Sequence, residues 1–156
     1  DRDELVRELV DLTDLLSSVI VGLNPKAKKK NQTIEFLPAE SPSMVMGNNS
    51  LISQVFYNLI DNAITYSPAK SKIEVVLTNR RKSVVVQIKD KGIGMSKADV
   101  ARIFDRFYRA DESRSGIRGY GLGLAICQSV INKHGGTIMV NSKQGAGSTF
   151  TVELPE

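Results

Sequence analysis

Asn58 and Asn62 stand four residues apart in the stretch NLIDNAITYSP, residues 58–68. On a helix of 3.6 residues per turn they share a face with Gln54 and Thr65. Beside this polar stripe runs an apolar one, made by Leu51, Ile52, Val55, Phe56, Leu59, Ile60, Ala63 and Ile64. A carboxamide oxygen is a neutral, hard ligand that suits Mg²⁺, an ion that keeps water and phosphate oxygens around it. Exposed asparagine is also commonplace, so this stripe taken alone fits plain solvation equally well.

Three further segments carry chemistry. In DKGIGM, residues 90–95, an aspartate closes an alternating apolar strand and two glycines follow. That places a carboxylate at the mouth of a pocket, beside a chain able to approach a flat ligand closely. A carboxylate accepting from an exocyclic amine, such as that of adenine, makes a bond worth about 1.5–3 kcal/mol. In RGYGLGLAI, residues 118–126, Gly119, Gly121 and Gly123 alternate and feed a helix. Glycine-exposed amides at a helix start attract anions. Arg102, Arg106, Arg109, Arg114 and Arg118 lie nearby and make phosphate the leading ligand. Neither a dinucleotide G-x-G-x-x-G nor a P-loop occurs. The fourth segment, GAGSTF at 145–150, reads as a tight turn before a final strand.

The elements that must position these residues follow from periodicity. Residues 4–23 have a helical pattern through Leu5, Leu9, Leu12, Leu16 and Ile20, interrupted at Asn24-Pro25. Strands are predicted at 33–37 and 43–46, and a helix at 49–65. Residues 72–78 and 84–90 alternate as a hairpin, and a short helix is predicted near 100–107. A helix over 121–133 ends at His134-Gly135-Gly136, before strands at 137–141 and 148–154. The order implies an α+β fold: a two-layer α/β sandwich with helices on one face of a mixed, mostly antiparallel sheet. We expect one domain over 1–156, with residues 1–8 as the tail of an upstream helix.

The bulk properties narrow the classes. A net charge of +4 is too small to argue for nucleic acid. The cluster Lys26, Lys28, Lys29 and Lys30 reads as a solvated helix end, and the one cysteine, Cys127, as a small buried hydrophobe. No apolar run is long enough to span a membrane and no leader pattern opens the chain, which fits a cytoplasmic setting.

In this order and spacing, the segments resemble the ATP-binding catalytic domain of bacterial sensor histidine kinases. That domain lies within the wider ATPase group of Hsp90, DNA gyrase B and MutL. NLIDNAITYSP is similar to the N box, DKGIGM to the G1 box and IFDRFYR to the F box, while GYGLGLAI is similar to the G2 box and GAGSTF to the last glycine box. The resemblance spans essentially the whole chain. It implies a Bergerat-type ATP-binding fold, with about five strands covered on one face by three helices.

Residue roles follow from that resemblance. Asn62 is implied as the ligand of the Mg²⁺ bridging the ATP phosphates. Asn58 stands where hydrolysing relatives keep a glutamate base. An amide cannot deprotonate water, so the site should hold ATP for transfer. Asp90 should read the adenine amine, with Gly92 and Gly94 shaping the pocket and Tyr66 lying along the nucleotide. Phe104 and Phe107 would anchor a lid, and Arg109 would reach the phosphates, with Arg106 and Arg118 as lesser candidates. Gly119, Gly121 and Gly123 would surround the phosphate tail together with Leu122 and Leu124, and Thr149 would stand at the pocket edge. Two positions depart from the pattern: Thr65 replaces a usual lysine or arginine, and Tyr120 replaces a small residue.

The implied reaction moves the γ-phosphoryl group of ATP to a histidine on a separate helical dimerisation domain. His134, the sole histidine, has no acidic helical acceptor motif around it. The implied partners are that dimerisation domain and a response regulator. The isolated domain is expected to be a monomer and the whole kinase a membrane-anchored homodimer. Alternatives are a nucleotide-binding regulatory module without kinase activity, a hydrolytic ATPase of the gyrase kind, or an anti-sigma-type serine kinase.

Overall fold

A computed structural model describes residues 6–105 and 121–156. Expectations for Arg106, Phe107, Arg109, Arg114, Arg118, Gly119 and Tyr120 fall outside those residues. The chain order is β1 (Glu8–Asp11), α1 (Leu12–Lys29), β2 (Thr33–Leu37), β3 (Met44–Gly47) and α2 (Asn49–Tyr66), followed by β4 (Lys72–Arg80) and β5 (Ser83–Asp90). Next come α3 (Lys97–Arg102), α4 (Gly121–Lys133), β6 (Thr137–Lys143) and β7 (Gly147–Pro155).

The main sheet runs β2-β4-β5-β7-β6. Only the β2–β4 pair is parallel, so the sheet is mixed and mostly antiparallel, as expected. Alternation along the strands turns one face inward: Ile73, Val75 and Leu77 on β4, Val84, Val86 and Ile88 on β5, and Phe150, Val152 and Leu154 on β7 are all buried. Three helices cover this face, α1 over β2, α2 over β5 and α4 over β6. The apolar stripe of α2 supplies Ile52, Val55, Phe56, Leu59, Ile60, Ala63 and Ile64 to the same core. Each fully buried aliphatic or aromatic side chain contributes about 1.5–3 kcal/mol.

Two expectations about the first forty-odd residues are corrected. The helix starts at Leu12 rather than near Leu5, because the Asp11 side chain caps it by accepting from the backbone N–H of Thr13 and Asp14. Glu8–Asp11 is instead a strand, antiparallel to β3, and the two form a separate small sheet. The leucine spacing misled because Leu9 is exposed while its neighbour Val10 is buried, the alternation of a strand. Asn24-Pro25 does not interrupt α1, which continues to Lys29 with Pro25 inside it. The carbonyl that loses its donor belongs to Val21, on an exposed stretch of the helix where water can serve it. A smaller shift affects α3, which begins at Lys97 because Ser96 caps it through its hydroxyl.

The topology gathers the chemical segments at one end of the sandwich. There β5 ends at Asp90, β6 ends at Lys143 and β7 begins at Gly147, with Asp90 opposite Ser148 and Ser148 opposite Ser142. Helix α2 ends at Tyr66 and leads into β4 at Lys72 of the same sheet.

Candidate functional site

Asp90, the last residue of β5, accepts backbone N–H bonds from Gly92 (2.8 Å) and Ser148 (3.2 Å) on one oxygen, Oδ1. Among the described residues its second oxygen has no donor. Burial pushes the carboxyl above the usual aspartate range, and the two backbone N–H bonds partly oppose that rise.

The loop after Asp90 is fixed by close backbone approaches. A side chain at Gly92 would run into the Tyr66 carbonyl, so only glycine lets this loop lie against the end of α2. Gly94 has φ +70 and lies on the Lys143 carbonyl, a position closed to other residues by space as well as by conformation. Gly145 donates to the Ile93 carbonyl (2.7 Å), and Met95 N–H donates to the Ser142 hydroxyl (2.8 Å). These contacts tie the Asp90 loop to the β6–β7 turn, which carries the last glycine segment.

Two openings flank the loop. The larger, about 540 Å³, is lined by Thr65, Tyr66 and Ser67 at the end of α2, Gly92 and Ile93 of the loop, and Lys30 of the α1–β2 connection, among others. The smaller, about 280 Å³, is lined by Asp90, Thr149 and residues of the β6–β7 turn. Ser67 is buried, and its hydroxyl has no hydrogen-bond partner among the described residues.

The α2 asparagines line neither opening but lie on the helix that ends there. Asn62 is half-buried and makes no side-chain hydrogen bond among the described residues, so its carboxamide is available to a ligand. Asn58 directs its Nδ2 at Cys127 Sγ of α4 (3.9 Å), and that thiol directs its own hydrogen at the Val55 carbonyl (3.8 Å). Burial pushes the Cys127 thiol up to about 11, so it stays protonated and inert at neutral pH.

Of the glycine-rich segment, Gly121 and Leu122 open α4. An added side chain at Gly123 would meet nothing within 4 Å among the described residues. Leu124 is fully buried in the core, so any contact from it to a ligand would come from its backbone. Phe104 is partly buried and meets Phe150 edge to face at 6.4 Å, fixing the start of the segment that leads to α4.

The lysine cluster is only partly a solvated helix end. Lys28 and Lys29 are exposed, but Lys26 reaches Asp61 and the Thr65 hydroxyl across α2. Lys30 Nζ donates to the carbonyls of Ile64 (2.7 Å), Thr65 (3.1 Å) and Ser67 (2.7 Å). Buried Gln32 donates from Nε2 to the carbonyls of Ile64, Ser67 and Pro68. Sequence reasoning missed Lys30 and Gln32, whose partners at the end of α2 lie more than thirty residues away, and Ser142, whose hydroxyl accepts from Met95 of the Asp90 loop; none of these contacts leaves a local pattern.

Chemically, the end of the sandwich offers one carboxylate with a spare oxygen, an unpaired buried hydroxyl, an available carboxamide and a cation at the cleft wall. Among the described residues no three His, Cys, Asp or Glu side chains come together as a metal site. A divalent ion held through Asn62 would therefore draw most of its ligands from phosphate oxygens and water, which suits Mg²⁺.

Residues 47–156 match the family described as histidine kinase-, DNA gyrase B-, and HSP90-like ATPase. The sensor-like histidine kinase SenX3 of Mycobacterium tuberculosis is 40% identical over 149 residues, which cover 94% of this chain and 36% of that protein. The nucleotide-free catalytic domain of histidine kinase ThkA superposes with a TM-score of 0.83 at 27% identity, covering 96% of this chain and 97% of the other. A crystal structure of ThkA in complex with the response regulator protein TrrA matches with a TM-score of 0.81 at 26% identity, over 96% of this chain and 41% of that one. The chain belongs to this ATPase family, as the ATP-binding domain of a sensor histidine kinase. It spans roughly a third of the length of SenX3.

Proposed function

We propose that residues 1–156 act as one catalytic unit that binds ATP and passes its γ-phosphoryl group to a histidine on a separate dimerisation domain. The observation that carries this reading is Asp90. It is a carboxylate with one oxygen tied by backbone N–H groups and the other spare among the described residues, at the end of the sheet where α2, the helix that carries the asparagines, terminates. The spare oxygen accepts from the adenine amine. Tyr66, Gly92 and Gly94 shape the space around the base, and Thr149 borders it. Asn62 holds the Mg²⁺, and that ion offsets charge on the phosphates when bound.

Transfer rather than hydrolysis follows from Asn58. Its amide has no basicity toward water, and its Nδ2 is directed at Cys127. The domain's contribution is positioning and electrostatics, with the covalent step left to the acceptor nitrogen. Arg109 is proposed as the cation on the transferring group, with Gly119, Gly121, Leu122, Gly123 and Leu124 cradling the phosphate tail through backbone N–H groups.

The acceptor lies outside this chain because His134 is unsuited to the role. It is 4% exposed, its Nε2 accepts from Asn48 N–H (3.0 Å), and its Nδ1 then donates to the Val130 carbonyl (2.8 Å). Both nitrogens are used inside the fold. By analogy with ThkA and TrrA, a response regulator would receive the phosphoryl group from the acceptor histidine. The parent protein is proposed as a membrane-anchored homodimer. No helix among the described residues is long and apolar enough to cross a membrane, so an anchor would lie elsewhere in the parent.

The test mixes this chain with the helical acceptor domain of its own kinase and γ-labelled ATP. Label should appear on the acceptor histidine and not on this chain. ATP binding without transfer would leave a regulatory module, and steady ATP turnover by this chain alone would make it a hydrolase.

A further inference from the structure

The C-terminal end of α2 poses an electrostatic problem for a site that takes a phosphorylated ligand. A helix C-terminus carries roughly half a negative charge on its last carbonyls and disfavours anions nearby. Here that end, at Thr65 and Tyr66, forms one wall of the 540 Å³ cleft. The last turn of α2 contains no basic residue. Thr65 contributes only a hydroxyl, which is already engaged by Lys26.

Among the described residues, one cation meets those carbonyls directly. Lys30, just past the end of α1, donates to the carbonyls of Ile64, Thr65 and Ser67 and is itself part of the cleft wall. Three acceptors match the three hydrogens of an ammonium group, so the side chain is held in one position. Lys26 is less suited to the task because Asp61 pairs with it and neutralises it. Lys91, on the loop wall, is exposed and solvated. Burial and the nearby Lys26 charge both lower the pKa of Lys30, which marks it as a cation with reduced access to water.

We propose that Lys30 is the specificity-determining cation of this cleft, offsetting the negative end of α2 so that the cleft favours phosphorylated over uncharged adenine ligands. It acts as a positioning residue: its ammonium holds the Thr65–Ser67 rim, and its field acts on the ligand's anionic part. This inference rests on the nucleotide reading given above. It also explains how α2 can end at such a site with threonine at position 65.

The experiment titrates the unsubstituted chain, Lys30→Gln and Lys30→Arg with ATP, ADP and adenosine, each at low and high salt. Glutamine keeps two donors for the rim carbonyls but removes the charge. Lys30→Gln should bind ATP roughly tenfold more weakly, ADP less so, and adenosine equally well, with the ATP loss shrinking at high salt. Lys30→Arg should restore ATP affinity. Adding Thr65→Lys to Lys30→Gln should also restore it, because the charge then returns on another residue. Equal losses for ATP and adenosine would overturn the inference in favour of a purely structural role, and so would no loss for any ligand. If Lys30→Gln does not fold, the Lys30→Arg variant and Thr65→Lys on the unsubstituted chain still decide. The inference requires the arginine variant to match the unsubstituted chain, and Thr65→Lys to add little while Lys30 is present. A large gain from Thr65→Lys there would overturn it. Failure of the unsubstituted chain to bind ATP at all would overturn the nucleotide reading first and this inference with it.

Discussion

The two ends of α2 are held by opposite strategies. At the N-terminal end the helix is capped by its own flanking residue, Asn48, whose side chain accepts from Leu51 N–H (3.0 Å). His134 of the α4–β6 connection then accepts from the Asn48 backbone N–H (3.0 Å). At the C-terminal end the flanking Ser67 contributes only its backbone N–H, to the Ala63 carbonyl (3.1 Å), and no side chain of the helix serves the carbonyls beyond it. Lys30 and Gln32 arrive from the α1–β2 connection and serve four carbonyls between Ile64 and Pro68. The first end faces the small β1–β3 sheet and serves stability. The second faces the cleft, where the same contacts set the shape and charge that a ligand meets. The difference shows how one helix can be a core element at one end and a site wall at the other.

Substitutions at and beyond the C-terminal end should show in ligand binding. Asn62→Ala should abolish the Mg²⁺-dependent part of ATP affinity, measured by titration with and without the ion. Asp90→Asn should weaken adenine binding by about 10–100-fold, the loss of one charge-assisted hydrogen bond. It should do so without lowering the melting temperature.

That second variant has a pH signature. The folded carboxyl titrates above its unfolded value, so Asp90's contribution to stability is largest below the ordinary aspartate pKa and is lost as pH rises through the folded value. The melting-temperature advantage of Asp90→Asn over the unsubstituted chain should therefore grow with rising pH across that window. In the unsubstituted chain, adenine affinity should fall on acidification at a higher pH than an ordinary aspartate would allow.

Substitutions at the N-terminal end should show in stability alone. His134→Leu removes two hydrogen bonds and leaves the Asn48 N–H unpaired, at a cost of about 1–3 kcal/mol in denaturant unfolding. Asn48→Ala should cost about 0.5–2 kcal/mol by loss of the cap. In both, the folded fraction should keep its ATP affinity. A stability-only effect at one end and a ligand effect at the other would sharpen the contrast, and weaker ATP binding in folded His134→Leu would break it.

Much of the framework was legible because it rests on short-range pattern. The strands that alternate, Ile73-Val75-Leu77 and Val84-Val86-Ile88, and the two-wide stripe of α2 declare their inner faces directly. The glycines of DKGIGM were legible as the place where the chain turns sharply, but the close approaches seen are to the chain itself, Gly92 to Tyr66 and Gly94 to Lys143, which no local pattern announces. Residues 8–11 were not legible. Leucines spaced by three or four fit a helix, while the pairing that makes residues 8–11 a strand is with residues 44–47, far along the chain. The lysine cluster failed for the same reason. Lys28 and Lys30 look alike in sequence, and only the folded position of the α2 end makes one solvated and the other a clamp.

The central claim, that this end of the sandwich is a Mg²⁺-assisted ATP site, is tested most directly by calorimetric titration of the chain with ATP and adenosine, each with and without Mg²⁺. We predict that both ligands bind, that Mg²⁺ tightens ATP alone, and that Asp90→Asn weakens both. ATP binding that ignores both Mg²⁺ and the Asp90 substitution, or no binding of either ligand, would contradict the account.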